Sequence, residues 1–151
     1  MKKNVLFIGL AVVLTACADK YYTEEYYTTV DSHSIEVTLD RGTARWWESG
    51  FDALGYRYFY YTVYVPELTD IVLNEGVLNT YLAYVPEGTD MEALSPLPFS
   101  DFLIDNNGEP WEEHFTVEYQ YQSVTFILKT SDHLNVEPAY TSYTFVVRLL
   151  W

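Results

Sequence analysis

Strict alternation of side-chain character over long stretches is the feature that most narrows the folds open to this chain of 151 residues. Phe115, Val117, Tyr119 and Tyr121 alternate with Thr116, Glu118, Gln120 and Gln122, and Ile35, Val37 and Leu39 alternate with Ser34, Glu36 and Thr38. Successive strand side chains point to opposite faces, so this period of two predicts strands with one dry and one wet face. Val124, Phe126 and Leu128 resume after a change of phase near Gln122-Ser123, which predicts a turn or bulge there. Tyr143, Phe145, Val147, Leu149 and Trp151 share one face of the last segment, expected to close or edge a sheet.

Two further segments are less one-sided. The run from Val77 to Val85 is apolar on both faces and is expected as a central strand covered on each side. From Tyr56 to Val65, Phe59, Tyr61, Val63 and Val65 fall on one face, and Tyr56, Tyr58, Tyr60 and Tyr64 on the other. Between these runs, Pro66 to Gly76 predicts one or two helical turns, with the proline at the start and the glycine just past the end. Pro86 to Asp90 and Ser95 to Pro98 are expected as loops, and Asn106-Asn107-Gly108 is a hairpin-turn signal. Six to eight short strands with little helix predict an all-β chain: a single β-sandwich domain with one short helical turn. Jelly-roll and immunoglobulin-like topologies both remain open.

The amino terminus carries a different kind of signal. Lys2 and Lys3 precede an apolar stretch from Val5 to Leu14, then Thr15-Ala16 and Cys17, the single cysteine of the chain. The stretch is shorter than the roughly 20 apolar residues a permanent span requires. It resembles a bacterial lipoprotein signal, in which the cysteine thiol receives a diacylglyceryl group and cleavage makes that cysteine the first mature residue. On that resemblance Cys17 is the lipidation site, residues 1–16 are the signal peptide, 17–30 a lipidated tether or edge strand, and 31–151 the sandwich. Two acyl chains already give stable anchoring, at roughly 0.8 kcal/mol per buried methylene. One cysteine also excludes an intramolecular disulfide and a thiolate-built zinc site.

Losing the leader removes two lysines and leaves six basic residues against 22 acidic ones, a formal charge of −16. Such a field repels nucleic acid, so no nucleic-acid partner is expected. Abundant aromatic and β-branched residues argue for a folded domain over a disordered acidic tail.

Trp47, the tyrosine-rich strand, the segment Leu68 to Tyr84, the Leu97-Pro98-Phe99 step and the final YTFVVRLL together resemble small lipoproteins of the Bacteroidota type. Members of that group have no assigned activity, so the resemblance implies an all-β domain in the bacterial cell envelope, at the outer membrane, and carries no catalytic residues. Which leaflet holds the lipid stays open.

Enzyme signatures are weak. Ser32-His33 and Asp132-His133 are fragments of a nucleophile–base–acid set without a nucleophile elbow. His33, His114 and His133 lack the spacing that places two ligands on one face, so no metal and no cofactor is expected. Asp105 to Glu109 with Glu112 and Glu113 offers oxygen ligands, but Gly108 falls three residues after Asp105, where a calcium loop needs five, and a solvated polar hairpin is the heavier expectation. Aromatic rings are the remaining candidates: Tyr56, Tyr58, Tyr60 and Tyr64 along one strand face, with Trp46, Trp47 and Trp111 in or beside loops. They offer a platform for a glycan or an envelope protein; packing against neighbouring strands is the commoner fate of such rings. The expectation is a non-enzymatic binding or assembly module. The alternatives are a small polysaccharide hydrolase with two facing carboxyls, or a fibre subunit that pairs through an edge strand.

Overall fold

The computed structural model describes residues 31–86, 88–131 and 137–151. Signal peptide, Cys17, tether, Asp132 and His133 lie outside them. Among the described residues, nine strands and one short helix follow in the order β1 (Ser32–Asp40), β2 (Glu48–Phe51), β3 (Arg57–Tyr64), α1 (Asp70–Glu75), β4 (Val77–Tyr84), β5 (Ala93–Pro96), β6 (Phe99–Ile104), β7 (Pro110–Gln120), β8 (Ser123–Thr130) and β9 (Ser142–Leu150). They form two antiparallel sheets packed as a sandwich, one ordered β1-β9-β4-β5 and the other β2-β3-β8-β7-β6. The expected all-β sandwich is therefore what the chain builds. Its order is not the immunoglobulin A-B-E-D against C-F-G arrangement, because β1 lies beside β9 rather than beside its successor.

The dry rows read from the sequence meet between the sheets. Val37 and Leu39 from β1, Phe145, Val147 and Leu149 from β9, and Val124, Phe126 and Leu128 from β8 are all buried. Phe126 and Phe145 stack across the interface with centroids 4.2 Å apart. β9 is a correction to the sequence reading. It neither closes nor edges its sheet but runs between β1 and β4, pairing with both along most of its length. An all-apolar inward row gains most where it is covered, and the interior of the sheet supplies that cover.

β4 is a second correction. Thr80 and Leu82 are buried, but its other face points outward, with Val77 54 % exposed. Tyr81 on that face lies beneath the Arg148 guanidinium, 5.1 Å from the ring centroid, which shields an aromatic surface that no other layer of the described residues covers. The phase change at Gln122-Ser123 is a tight hairpin between β7 and β8, with Gln122 at φ 55°. β5 occupies part of the expected 95–98 loop. Pro96 is tolerated there because β5 is an edge strand whose outer side needs no ladder donor.

The helix begins later than Pro66 suggests. Thr69 is its cap, its Oγ1 accepting the Val72 N–H at 3.4 Å. Gly76 ends the helix as expected, at a point where bulk is forbidden: a Cβ there would sit 2.5 Å from the Val72 carbonyl oxygen and 2.9 Å from that of Leu150. Both obstacles are backbone, so Gly76→Ala is expected to lower unfolding free energy by about 1–3 kcal/mol, read from the urea midpoint.

The sandwich has two poles. At one, β1 begins, β9 ends, α1 packs, and Glu67 approaches His33 at 3.5 Å. Asp31 and Trp151 extend the β1–β9 ladder there by reciprocal backbone bonds of 2.7 and 3.0 Å. At the other pole lie the ends of β1 and β4, the starts of β7 and β9, and the β6–β7 hairpin turn. The nine residues of β1 separate the poles by roughly 27 Å.

Candidate functional site

The second pole holds the chemistry. Asp101 on β6 and Glu113 on β7 are direct cross-strand partners, and facing positions of an antiparallel pair share one side of the sheet. Two like charges so placed repel, and the local structure answers with two tyrosines from the segment entering β9. The Tyr140 hydroxyl donates to Asp101 Oδ2 at 2.7 Å. The Tyr143 hydroxyl donates to both Glu113 oxygens, at 3.0 and 3.1 Å, and accepts the Tyr140 backbone N–H at 3.0 Å. The Ala139 backbone N–H completes the set, donating to Glu113 Oε1 at 2.7 Å.

Glu113 is fully enclosed. Burial, with a smaller contribution from the Asp101 charge, holds its carboxyl above the usual glutamate range, against the opposing pull of its two donors. Tyr143 is also pushed up, first by burial and then by the Glu113 charge. Burial and the Asp101 hydrogen bond push the half-exposed Tyr140 up to about 12. Both hydroxyls thus keep their protons at any physiological pH.

Beside this pair opens a cleft of about 220 Å³, lined among others by Tyr84, Phe99, Phe115, Tyr140, Tyr143 and Asp101. Its rings come from β4, β6, β7 and the start of β9. Tyr84 stacks on Phe99 at 5.6 Å, Phe99 on Phe115 at 6.4 Å, and Tyr140 meets Tyr143 edge-on at 5.8 Å. The result is an aromatic wall ending in a carboxylate.

The arrangement meets part of what a hydrolase needs, two facing carboxyls with one shifted upward by burial. Glu113, however, has no exposed surface and both its oxygens accept internal donors. It holds the strand-to-strand geometry and has no open face for a substrate oxygen.

The residues singled out from the sequence are dispersed. Tyr58 and Tyr60 lie together on the outer face of the five-stranded sheet, centroids 5.8 Å apart, over a shallow groove shared with Glu118 and Lys129. The Tyr60 hydroxyl donates to Glu48, and that bond raises its pKa. Tyr64 sits farther along the same face and Tyr56 lies before β3, both exposed. Trp47 is core, 7 % exposed and edge-on to Tyr143 and Phe145. Trp46 rests against Tyr143 with Arg41 over its ring. Trp111 lines an open groove with Arg41, Glu109 and Glu137. These rings form no single platform.

The polar hairpin spends its acids locally. Asp105 Oδ1 accepts the backbone N–H groups of Asn107 and Glu109, each at 2.8 Å, with Gly108 at φ 86°, and these bonds lower its pKa. His33 faces Glu67, and His114 Nδ1 pairs with Ser100 Oγ at 2.9 Å. Among the described residues no three His, Cys, Asp or Glu side chains converge as metal ligands.

Sequence reasoning misses Asp101, Tyr84, Phe99 and Tyr140 as site residues, and names Glu113 only as an oxygen ligand of the polar hairpin. One signal reaches Glu113: it shares parity with Phe115 and Val117, so a charged residue stands in a dry row. Nothing local joins the other four, which lie in separate segments. No family model, curated protein or solved structure matches this chain.

Proposed function

We propose that this chain is a lipid-anchored protein of the bacterial cell envelope whose sandwich is a non-enzymatic binding module, with the aromatic–carboxyl cleft as its recognition site. The observation that carries the reading is the placement of the cleft at the pole opposite the one where the chain enters β1. A thioether lipid at Cys17 would hold the entry pole toward the bilayer, and the cleft would face away from it. The chain between Cys17 and Asp31 reaches at most roughly 50 Å when extended, ample for the domain to clear the headgroups. No helix among the described residues is long and apolar enough to cross a membrane.

Expressed with its leader in a bacterial host, the full chain is expected to incorporate an alkyne-labelled fatty acid and partition with membranes. Cys17→Ser is expected to lose both the label and the membrane fraction. Label retained by the variant would defeat the anchoring part of the reading.

The exposed edge of the five-stranded sheet favours a second reading. Among the described residues β6 pairs only with β7, and it presents Phe102 and Ile104, each about three-quarters exposed, which suits strand pairing between neighbours in a fibre. Sedimentation as a monomer at all concentrations would remove it.

A further inference from the structure

We infer that the cleft between Tyr84, Phe99, Tyr140 and Tyr143 takes an organic cation, a quaternary or alkylated ammonium group held by aromatic faces and the Asp101 carboxylate. This rests on the cleft being a binding site, as proposed above.

Three observations select this ligand chemistry. The first is the wall itself: five aromatic rings meet there, and the faces of such rings carry the negative end of a quadrupole that attracts cations. The second is the polar inventory. The Tyr140 hydroxyl is spent on Asp101 and the Tyr143 hydroxyl on Glu113. Asp101 Oδ1 stays open among bonds to the described residues, so the cleft offers a charged acceptor, with the hydroxyls of Tyr84 and Ser142 as its remaining side-chain donors. A sugar ring needs donors and acceptors in alternation around its hydroxyls, whereas an alkylated ammonium needs none. The third is charge. No lysine, arginine or histidine lines the cleft, and the enclosed Glu113 carboxyl stands directly behind Asp101 on the neighbouring strand. A cation entering here meets the Asp101 carboxyl and no opposing charge, in a chain of net charge −14.

The test uses the full chain purified in detergent and isotope-labelled, with NMR shifts of Tyr84, Phe99, Asp101 and Tyr140 followed against three probes. Choline supplies the cation. 3,3-Dimethylbutan-1-ol has nearly the same shape with carbon in place of the charged nitrogen, and glucose stands for neutral sugars. Choline is expected to move the cleft resonances with an affinity roughly tenfold above that of the neutral alcohol. Asp101→Asn and, separately, Tyr84→Leu are each expected to weaken choline about tenfold while leaving the β8 and β9 resonances in place. Tyr84 is partly exposed, so its variant keeps the experiment readable if Asp101→Asn disturbs the fold. Equal or tighter binding of the alcohol or of glucose would overturn the cation assignment and leave the binding module standing. Silence of the cleft toward all three probes would overturn both.

Discussion

Replacing Phe145 with alanine is expected to lower the unfolding free energy by about 3–5 kcal/mol, at the top of the range for a single core truncation. Phe145 is fully buried on β9 and touches rings from three directions. It stacks on Phe126 at 4.2 Å and 10°, stands edge-on to Trp47 at 5.9 Å, and lies 6.4 Å from Phe115. The alanine variant loses the transfer free energy of a benzyl group and leaves a void that two interior strands cannot easily collapse into. Domains of this size are stable by only about 5–15 kcal/mol, so the variant sits near the edge of unfolding. Urea denaturation followed by circular dichroism reads the effect as a lower midpoint at unchanged slope. Combining Phe145→Ala with Phe126→Ala is expected to cost less than the two separate losses, because each removes the other's stacking partner. Additive losses would mean that the two rings do not share one contact.

Glu113→Ala ranks second. The substitution leaves the Ala139 N–H and the Tyr143 hydroxyl without their acceptor in a dry environment. Each orphaned donor costs about 1–3 kcal/mol, removing the buried carboxyl offsets part of that, and a total loss of about 2–4 kcal/mol is expected at mildly acidic pH. The pH dependence has a definite sign. Because the folded carboxyl titrates above the ordinary glutamate range, the folded chain holds this proton more tightly than the unfolded chain does. The stability this contributes is fully present below the unfolded glutamate pKa and is lost as pH rises through the raised folded value. Glu113→Gln keeps an acceptor oxygen and cannot ionise, so its melting temperature is expected to fall less than that of the parent across this window. A parent and Gln variant with parallel pH profiles would show that Glu113 titrates normally.

Much of the fold can be read from side-chain parity alone, because burial on one face imposes it. The rows Phe115-Val117-Tyr119, Val124-Phe126-Leu128 and Tyr143-Phe145-Val147-Leu149 point inward as alternation requires. The short strands escape this reading. β2 contains Gly50, which lies under the Tyr58 ring, and β5 ends on Pro96; four residues offer too few alternations to register a period. Strand order is hidden for another reason: parity shows which face is dry, not which neighbour pairs, and β9 gives no local sign that β1 and β4 flank it. The cleft is the hardest part to foresee, since Tyr84, Asp101 and Tyr140 meet only because three separate connections deliver them to one pole. Trp47 shows the converse. A double tryptophan in a loop is open to both a surface platform and a core role, and Trp47 takes the second, turning inward to cover Tyr143 and Phe145.

The ring stack through Phe126 and Phe145 belongs equally to both leaves of the sandwich. Neither leaf can lift away without exposing the face of the other, so the centre opens only when the whole domain does. Peptide hydrogens along β8 and β9, each flanked by strands on both sides, are therefore expected to exchange with solvent only through global unfolding, with protection close to the full unfolding free energy. Those of β2 and β5, short and paired on one side among the described residues, are expected to exchange by local fraying. The domain thus keeps a slow centre while its margins breathe.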